Sequence, residues 1–204
     1  LEEVADIAVD NDLYVFSDEA YEKLVYGKKH HSIGSFNGME KYAVTLQTFS
    51  KTYAMCGYRV GYAAGPTPLM EAMKKTHVYT TSCAPTISQK LAVKALSLKP
   101  TYVDKMVKEY DKRRKMIVKG LNQIGLETVK PNGAFYAMAD VSHLTDHSYK
   151  FAFDLLRKAK VGVVPGREFG KFGEGYIRCS YATECKQIEE ALRRMDRFIS
   201  KIKV

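Results

Sequence analysis

No run in this chain of 204 residues approaches the roughly 20 consecutive apolar residues that a membrane-spanning helix requires. The opening Leu1-Glu2-Glu3 lacks the basic start and apolar core of a signal peptide. No membrane role is therefore expected, and a soluble, cytoplasmic protein is. Cysteine is scarce as well: Cys56, Cys83, Cys179 and Cys185 are irregularly spaced, with no CxxC pair and no histidine arrangement of the zinc type. We expect no metal centre, and reduced thiols that serve mostly in packing. Internal repeats and low-complexity segments are missing too, and 46% hydrophobic residues is the composition of an ordinary globular protein, which leaves no case for disorder.

What the chain has in excess is positive charge, formally +9, which raises nucleic acid as a partner. The densest basic run, Lys105 to Lys119, argues against it. Met106, Val107, Tyr110, Met116 and Ile117 fall near helical spacing with the charges on the other faces, so the run reads as a solvated helix face. Aromatics are not interleaved as a single-strand platform needs, and no nucleic-acid motif is present.

Helical and strand patterns alternate along the chain, the mark of an α/β protein. A short helix on Leu1, Val4, Ala5, Ile7 and Ala8 leads into a buried strand at Leu13–Phe16, with Asp18 just past its end. A strand at Tyr42–Leu46 leads to Lys51, and Tyr58–Ala64 alternates like another. Helices follow from Pro66 to about Lys75, from Ile87 to Leu98 and from Val103 to Ile124, where Gly125 stops the last. Beyond Leu126 the pattern is strand, the Pro131-Asn132-Gly133 turn, strand Ala134–Ala139, helix Tyr149–Ala159, strand Val161–Val164, a glycine-rich turn through Gly170, strand Gly175–Tyr181 and a closing helix. Asn-Gly between apolar runs predicts a hairpin, and this second part reads as a compact α+β unit.

One segment reads as a site and not a surface: FSKTYAMCGYRVGY, Phe49 to Tyr62. Lys51 lies there among small and hydroxyl-bearing residues, eight positions before Arg59, which Gly57 and Gly61 bracket. A free lysine, with a pKa of about 10.4, is a poor nucleophile at neutral pH, and Schiff-base formation with an aldehyde cofactor is one chemistry that uses it. Ligands of open α/β sheets bind at the carboxyl ends of strands. Ser17-Asp18-Glu19-Ala20-Tyr21 is the second candidate, so that two successive strand ends supply an acid, a phenol and a lysine.

SDEAY at 17–21, FSKTYAMCGYRVGY at 49–62, PNGAFY at 131–136, VVPGREFG at 163–170 and YIRCSYA at 176–182 together resemble the fold-type I pyridoxal-phosphate aminotransferases of class I/II, the aspartate and aromatic aminotransferase group. The resemblance implies that Lys51 links covalently to pyridoxal 5'-phosphate and then shuttles the proton of the substrate α-carbon. It implies that Asp18 pairs with the pyridinium nitrogen, that Tyr21 hydrogen-bonds the ring oxygen, and that Arg59 clamps the phosphate with its planar fork. Ser50 would donate to the same phosphate. At Thr48 the chain departs from the family, which has glycine or serine there; threonine keeps the hydroxyl but adds a methyl. Arg178 would grip the substrate α-carboxylate, and an arginine flanked by apolar strand residues is costly to bury without an anion. Phe135 and Tyr136 would lie near the substrate, and Gly166 and Gly170 serve turn geometry.

The resemblance also implies a missing half. Family members carry upstream a glycine-containing phosphate loop, an aromatic stacked on the ring and an asparagine near the ring oxygen, and none of these motifs is in this sequence. The chain then reads as a C-terminal half: the end of the cofactor domain over residues 1–98 and the small α+β domain over 99–204. The implied activity, transfer of an amino group between an aspartate-type or aromatic amino acid and a 2-oxo acid, would belong to the intact homodimer, and the fragment alone would be inactive. A β-lyase of the same fold and an aminotransferase-like effector domain of a transcription regulator are the alternatives. Lys74, Lys75 and His77 could meet an acidic substrate, although solvated helix-end charges are the simpler reading.

Overall fold

The computed structural model describes residues 1–202 and divides into two compact units, Leu1–Lys105 and Met106–Val204. The first is built on a three-stranded sheet in the order β1 (Val15–Asp18), β2 (Ala43–Thr48), β3 (Gly61–Ala64), with β1 parallel and β3 antiparallel to β2. Helix α1 (Glu2–Asp10) buries Ala5 and Ala8 against Ile33, Met39 and Ala43. The four-residue turn α2 (Phe49–Thr52) follows β2 without a break, and Phe49 packs with Val60, Ala92 and Ala95. The last two belong to α4 (Thr86–Leu96), which α3 (Thr67–Thr80) precedes.

Strand β1 starts two residues later than the apolar run suggests. Asn11 and Asp12 form a turn with Asp12 at φ 56, and the Leu13 N–H donates to Ala8 O at 2.8 Å. Leu13 and Tyr14 thus only connect the turn to the strand, and Asp18 is the last residue of the strand and not the first beyond it. Nor is the strand buried on both faces: Phe16 is 54% exposed. Strand β3 likewise begins at Gly61 and not Tyr58, because Cys56–Tyr58 winds into a 3₁₀ turn and Arg59 takes a left-handed conformation.

In the second unit β4 (Tyr136–Asp140), β6 (Tyr176–Ser180) and the short β5 (Val164–Pro165) form an antiparallel sheet in the order β4-β6-β5. Its pleat sends Ala137, Ala139, Ile177 and Cys179 into the core, while Tyr136, Met138, Tyr176, Arg178 and Ser180 occupy the other face. The helical side of that core is α5 (Thr101–Gln123), α6 (Ser148–Asp154) with its π-helical extension Leu155–Ala159, and α7 (Cys185–Ile202). α7 buries Ile188, Met195, Phe198 and Ile199, spaced for a single helical stripe. On its outer side Glu190 accepts from both Arg193 and Arg194.

The basic run lies on α5 and is largely solvated, with Ile117 and Leu121 turned inward. Arg114 is the exception: 4% exposed, it pairs with Asp111 and donates to Pro131 O at 2.6 Å. The helix stops at Gly125, φ 85, where the Leu126 N–H returns to Leu121 O at 3.0 Å. The hairpin expected around Asn132-Gly133 is reduced to one bridge, Thr128 to Ala139, and the left-handed residue is Ala134 at φ 57. Asn122 explains the difference. Its side chain donates to Thr128 O (3.1 Å) and accepts from Thr128 N (3.2 Å), so the helix end provides the partners that a first hairpin strand would otherwise need.

All four cysteines are free thiols, but only Cys179 is buried; Cys56 and Cys83 are exposed and Cys185 is half-buried. Burial pushes the Cys179 thiol up to about 12, which leaves almost no thiolate near neutrality. Alkylation of the native chain at about pH 8 should label Cys56 and Cys83 and spare Cys179 until denaturant is added. Peptide mapping checks this, and native labelling of Cys179 would contradict the packing of β6.

Candidate functional site

Because β1 and β2 run parallel with Asp18 opposite Leu46, their carboxyl ends open on the same edge of the first sheet. β3 runs the other way, so its beginning lies at that edge too, with Gly61 opposite Thr48. The fold thereby collects Asp18, Tyr21, Thr48, Ser50, Lys51 and Arg59 at one sheet edge. Arg178, the remaining residue read from the sequence, belongs to the second unit.

Each of the six has a local reason for its place. The Thr48 hydroxyl caps α2 by accepting from Ser50 N at 3.1 Å, and donates to Ser50 Oγ at 2.9 Å. Ser50, accepting there, keeps its own hydroxyl proton for another acceptor. Lys51, half-buried, extends its Nζ to 5.9 Å from the centre of the Tyr21 ring, within reach of a cation–π attraction. Asp18 is exposed and accepts from Ala20 N at 3.1 Å, which starts the turn that delivers Tyr21.

Arg59 sits at φ 51, uncommon for a residue with a side chain, and its Nη1 donates to Cys56 O at 2.9 Å. The Phe49 N–H bonds Val60 O at 3.2 Å, so the arginine loop is stitched to the start of α2. Gly61 makes the approach possible. A Cβ there would stand 2.4 Å from Gln47 O, inside the β2–β3 ladder, whereas one at Gly57 would meet nothing within 4 Å.

Glu19 is a site residue that pattern reading missed. It is 4% exposed, and its carboxylate accepts from Ser17 Oγ (3.1 Å) and Ser32 Oγ (2.6 Å) and pairs with His30 Nε2 at 2.9 Å. Burial pushes the carboxyl up, but the bonds from Ser32, His30 and Ser17 outweigh it and hold the group below the ordinary glutamate range. The available signal was alternation: if Asp18 points out, Ser17 and Glu19 point in, and polar residues at inward positions need partners. Glu22 and His30 bring further ligand-type atoms near Glu19.

In the second unit Arg178 is half-buried with aromatic rings on both sides, its guanidinium carbon 4.2 Å from the centre of Tyr136 and 4.4 Å from that of Phe169. Tyr136 reaches it diagonally across the β4–β6 pairing, where Met138 is directly opposite. Among the described residues no acidic side chain pairs with Arg178. A guanidinium so clad has its N–H edge left for an anion.

The sequence profile described as aminotransferase class I and II matches residues 1–195. The chain is 46% identical over its whole length to an aspartate aminotransferase of Pyrococcus abyssi, of which it covers 53%. It is 44% identical, again over its whole length, to aromatic-amino-acid aminotransferase 2 of Thermococcus litoralis, also covering 53%. Among solved structures, an aromatic aminotransferase from Pyrococcus horikoshii superposes with a TM-score of 0.95 at 46% identity, over 99% of this chain and 55% of that one. The chain thus spans about half the length of the curated relatives it matches.

Two outcomes follow from the geometry of the edge. Gly61→Ala should cost about 1–3 kcal/mol by overpacking the β2–β3 ladder, while Gly57→Ala stays within about 0.5 kcal/mol; denaturant midpoints compare them, and equal midpoints would refute the close approach. Glu19 has a depressed folded-state pKa, so the stability it contributes is complete above the unfolded glutamate pKa and lost as pH falls through the lower folded value. Wild type and Glu19→Gln should therefore differ in stability at neutral pH and converge in acid. A gap that persists unchanged would exclude the carboxylate charge as its source.

Proposed function

Since the chain belongs to the class I and II aminotransferase family, whose members use pyridoxal phosphate, we propose that it forms part of a transaminase that moves an amino group between an aspartate-type or aromatic amino acid and a 2-oxo acid. The chain spans about half of its relatives, so the activity is assigned to the whole protein, and we expect no turnover from these residues alone. The relatives' names support aspartate and aromatic substrates. We further take the whole protein to be a cytoplasmic homodimer of amino-acid metabolism; four free thiols suit a reducing compartment.

The observation that carries the reading is Lys51: a primary amine on the carboxyl edge of the sheet, against the Tyr21 ring and beside the strand end that bears Asp18. A carboxylate, a phenol, an amine and an arginine are the groups that pyridoxal phosphate needs for its ring nitrogen, ring oxygen, aldehyde and phosphate, so the donor set fits. When bound, the cofactor supplies an aldehyde and a ring that accepts electrons.

Each residue then has a task. Lys51 would supply the amine that holds the cofactor aldehyde and, as a free amine, the base for the proton of the substrate α-carbon. Asp18 would accept the hydrogen bond of the ring nitrogen and keep it protonated, and Tyr21 would donate its phenol proton to the ring oxygen. Arg59 would hold the phosphate with its fork, and Ser50 would donate its hydroxyl proton to it. Thr48 acts chiefly through Ser50, its hydroxyl being engaged in the α2 cap. Arg178, clad by Tyr136 and Phe169, takes the carboxylate that amino-acid and oxo-acid substrates share. Residues 1–98 would thus serve the cofactor and 99–204 the substrate.

The test is to load the full-length protein with pyridoxal phosphate, reduce it with borohydride, map the labelled peptide, and assay oxo-acid release from aspartate and from aromatic donors with and without an oxo-acid acceptor. Label on Lys51 and acceptor-dependent turnover are expected. Label elsewhere would overturn the assignment of Lys51, and release without an acceptor would make the protein a lyase.

A further inference from the structure

Glu19 is the only buried carboxylate among the described residues, and it lies between two residues of the proposed cofactor site without being directed into it. Its backbone already does two jobs. The Glu19 N–H donates to Leu46 O at 3.0 Å, extending the β1–β2 ladder one step beyond the strand, and its carbonyl accepts from Glu22 N at 2.9 Å in the turn that carries Tyr21. Its carboxylate adds Ser17 on β1, and His30 and Ser32 from the returning segment. Ser32 Oγ in turn lies 3.4 Å from Thr45 Oγ1 on β2.

From Ala20 to Ser32 the chain has turns, bends and a single bridge residue, Val25, but no helix and no strand of the sheet. Buried Leu24 and Tyr26 and the bond from Leu24 N–H to Tyr21 O (2.9 Å) anchor the later part of this segment, while the Glu19 carboxylate ties its start at the end of β1 to the returning residues His30 and Ser32. Charge-assisted hydrogen bonds are short and about twice as strong as neutral ones. A buried hub that engages three partners on one carboxylate makes one arrangement more favourable than its neighbours. Asp18 immediately precedes the hub, and Tyr21 follows it by two residues.

We propose that Glu19 is a positioning residue for the cofactor site: its buried carboxylate, tied to Ser17, His30 and Ser32, sets the placement of Asp18 and Tyr21. The role rests on the transaminase reading of that sheet edge. Glu19 touches neither cofactor nor substrate; it acts through the two residues beside it, as support for groups that must be held to within a fraction of an ångström.

The test uses the full-length protein, first without cofactor and then titrated with pyridoxal phosphate. In the cofactor-free protein, Glu19→Ala should speed amide exchange over residues 18–24 and leave 43–48 unchanged. Affinity for pyridoxal phosphate should fall about tenfold or more, the loss of one charge-assisted bond's worth of preorganisation. The absorbance titration of the Lys51-bound cofactor should also shift its midpoint, because Tyr21 and Asp18 no longer hold their places. Glu19→Gln, whose amide oxygen can still accept from Ser17 and Ser32, should restore most of both.

A Glu19→Ala protein that melts lower but keeps wild-type affinity and a wild-type absorbance midpoint would overturn the proposal and leave Glu19 a structural residue only. If Glu19→Ala does not fold, Ser32→Ala carries the test: a smaller loss of affinity in the same direction supports the proposal, and unchanged affinity refutes it. Asp18→Asn and Lys51→Ala separate the two levels. If both weaken cofactor binding while Glu19→Ala and Ser32→Ala do not, this inference alone fails; if neither weakens it, the reading of the edge fails and takes the inference with it.

Discussion

The register of three short strands is the constraint on which the first unit depends. Pairing β1 with β2 in parallel and β3 with β2 in the opposite sense leaves Asp18, Thr48 and Gly61 on one edge, with Tyr21 just after the first, Ser50 and Lys51 just after the second and Arg59 just before the third. A slip of one residue in either ladder would turn every side chain of that strand to the opposite face. Gly61 guards the second ladder, since only a residue without Cβ lets β3 approach Gln47 O so closely. Glu19 serves the first in a different way, with a buried carboxylate that joins the strand end to the returning segment.

The second unit works by another principle. Its sheet presents one face to a continuous core running from Ile117 and Leu121 to Phe198 and Ile199, and that burial makes β6 rigid. Arg178 stands on the opposite face of the same strand, so its backbone is held by the core while its guanidinium lies between two aromatic rings. The rings restrict the side chain without neutralising its charge. In its proposed role, an arginine prepared in this way would meet a carboxylate with little further ordering to lose.

Much of this was legible in the order of residues. Alternating helical and strand patterns reveal an α/β chain, Gly125 marks the end of α5, and the lysine-bearing segment is conspicuous in composition. The family is legible because several short motifs recur in order, and family membership and fold are borne out by the matched profile and the superposed structures. Boundaries were less legible. Leu13 and Tyr14 have strand propensity but are kept out of the strand by the return of Leu13 N–H to Ala8 O, and the strand before Asn132-Gly133 gives way because Asn122 supplies its hydrogen bonds. Both are tertiary decisions overriding local preference.

The sequence by itself determined the kinds of group available, an amine, two carboxylates, a phenol and two arginines, together with the periodicities that place them at strand ends, because residue chemistry and pleat are local properties. Only the tertiary structure decided what each group meets. Glu19, indistinguishable from Asp18 in a list of acids, is buried and bonded to residues more than ten positions away. Thr48 turns out to serve a helix cap, and Arg178 to lie between rings brought in from two different segments. The physical reason is the same in each case: burial and hydrogen-bond partnership depend on distance in space, and the chain order carries that distance only after the core has closed around it.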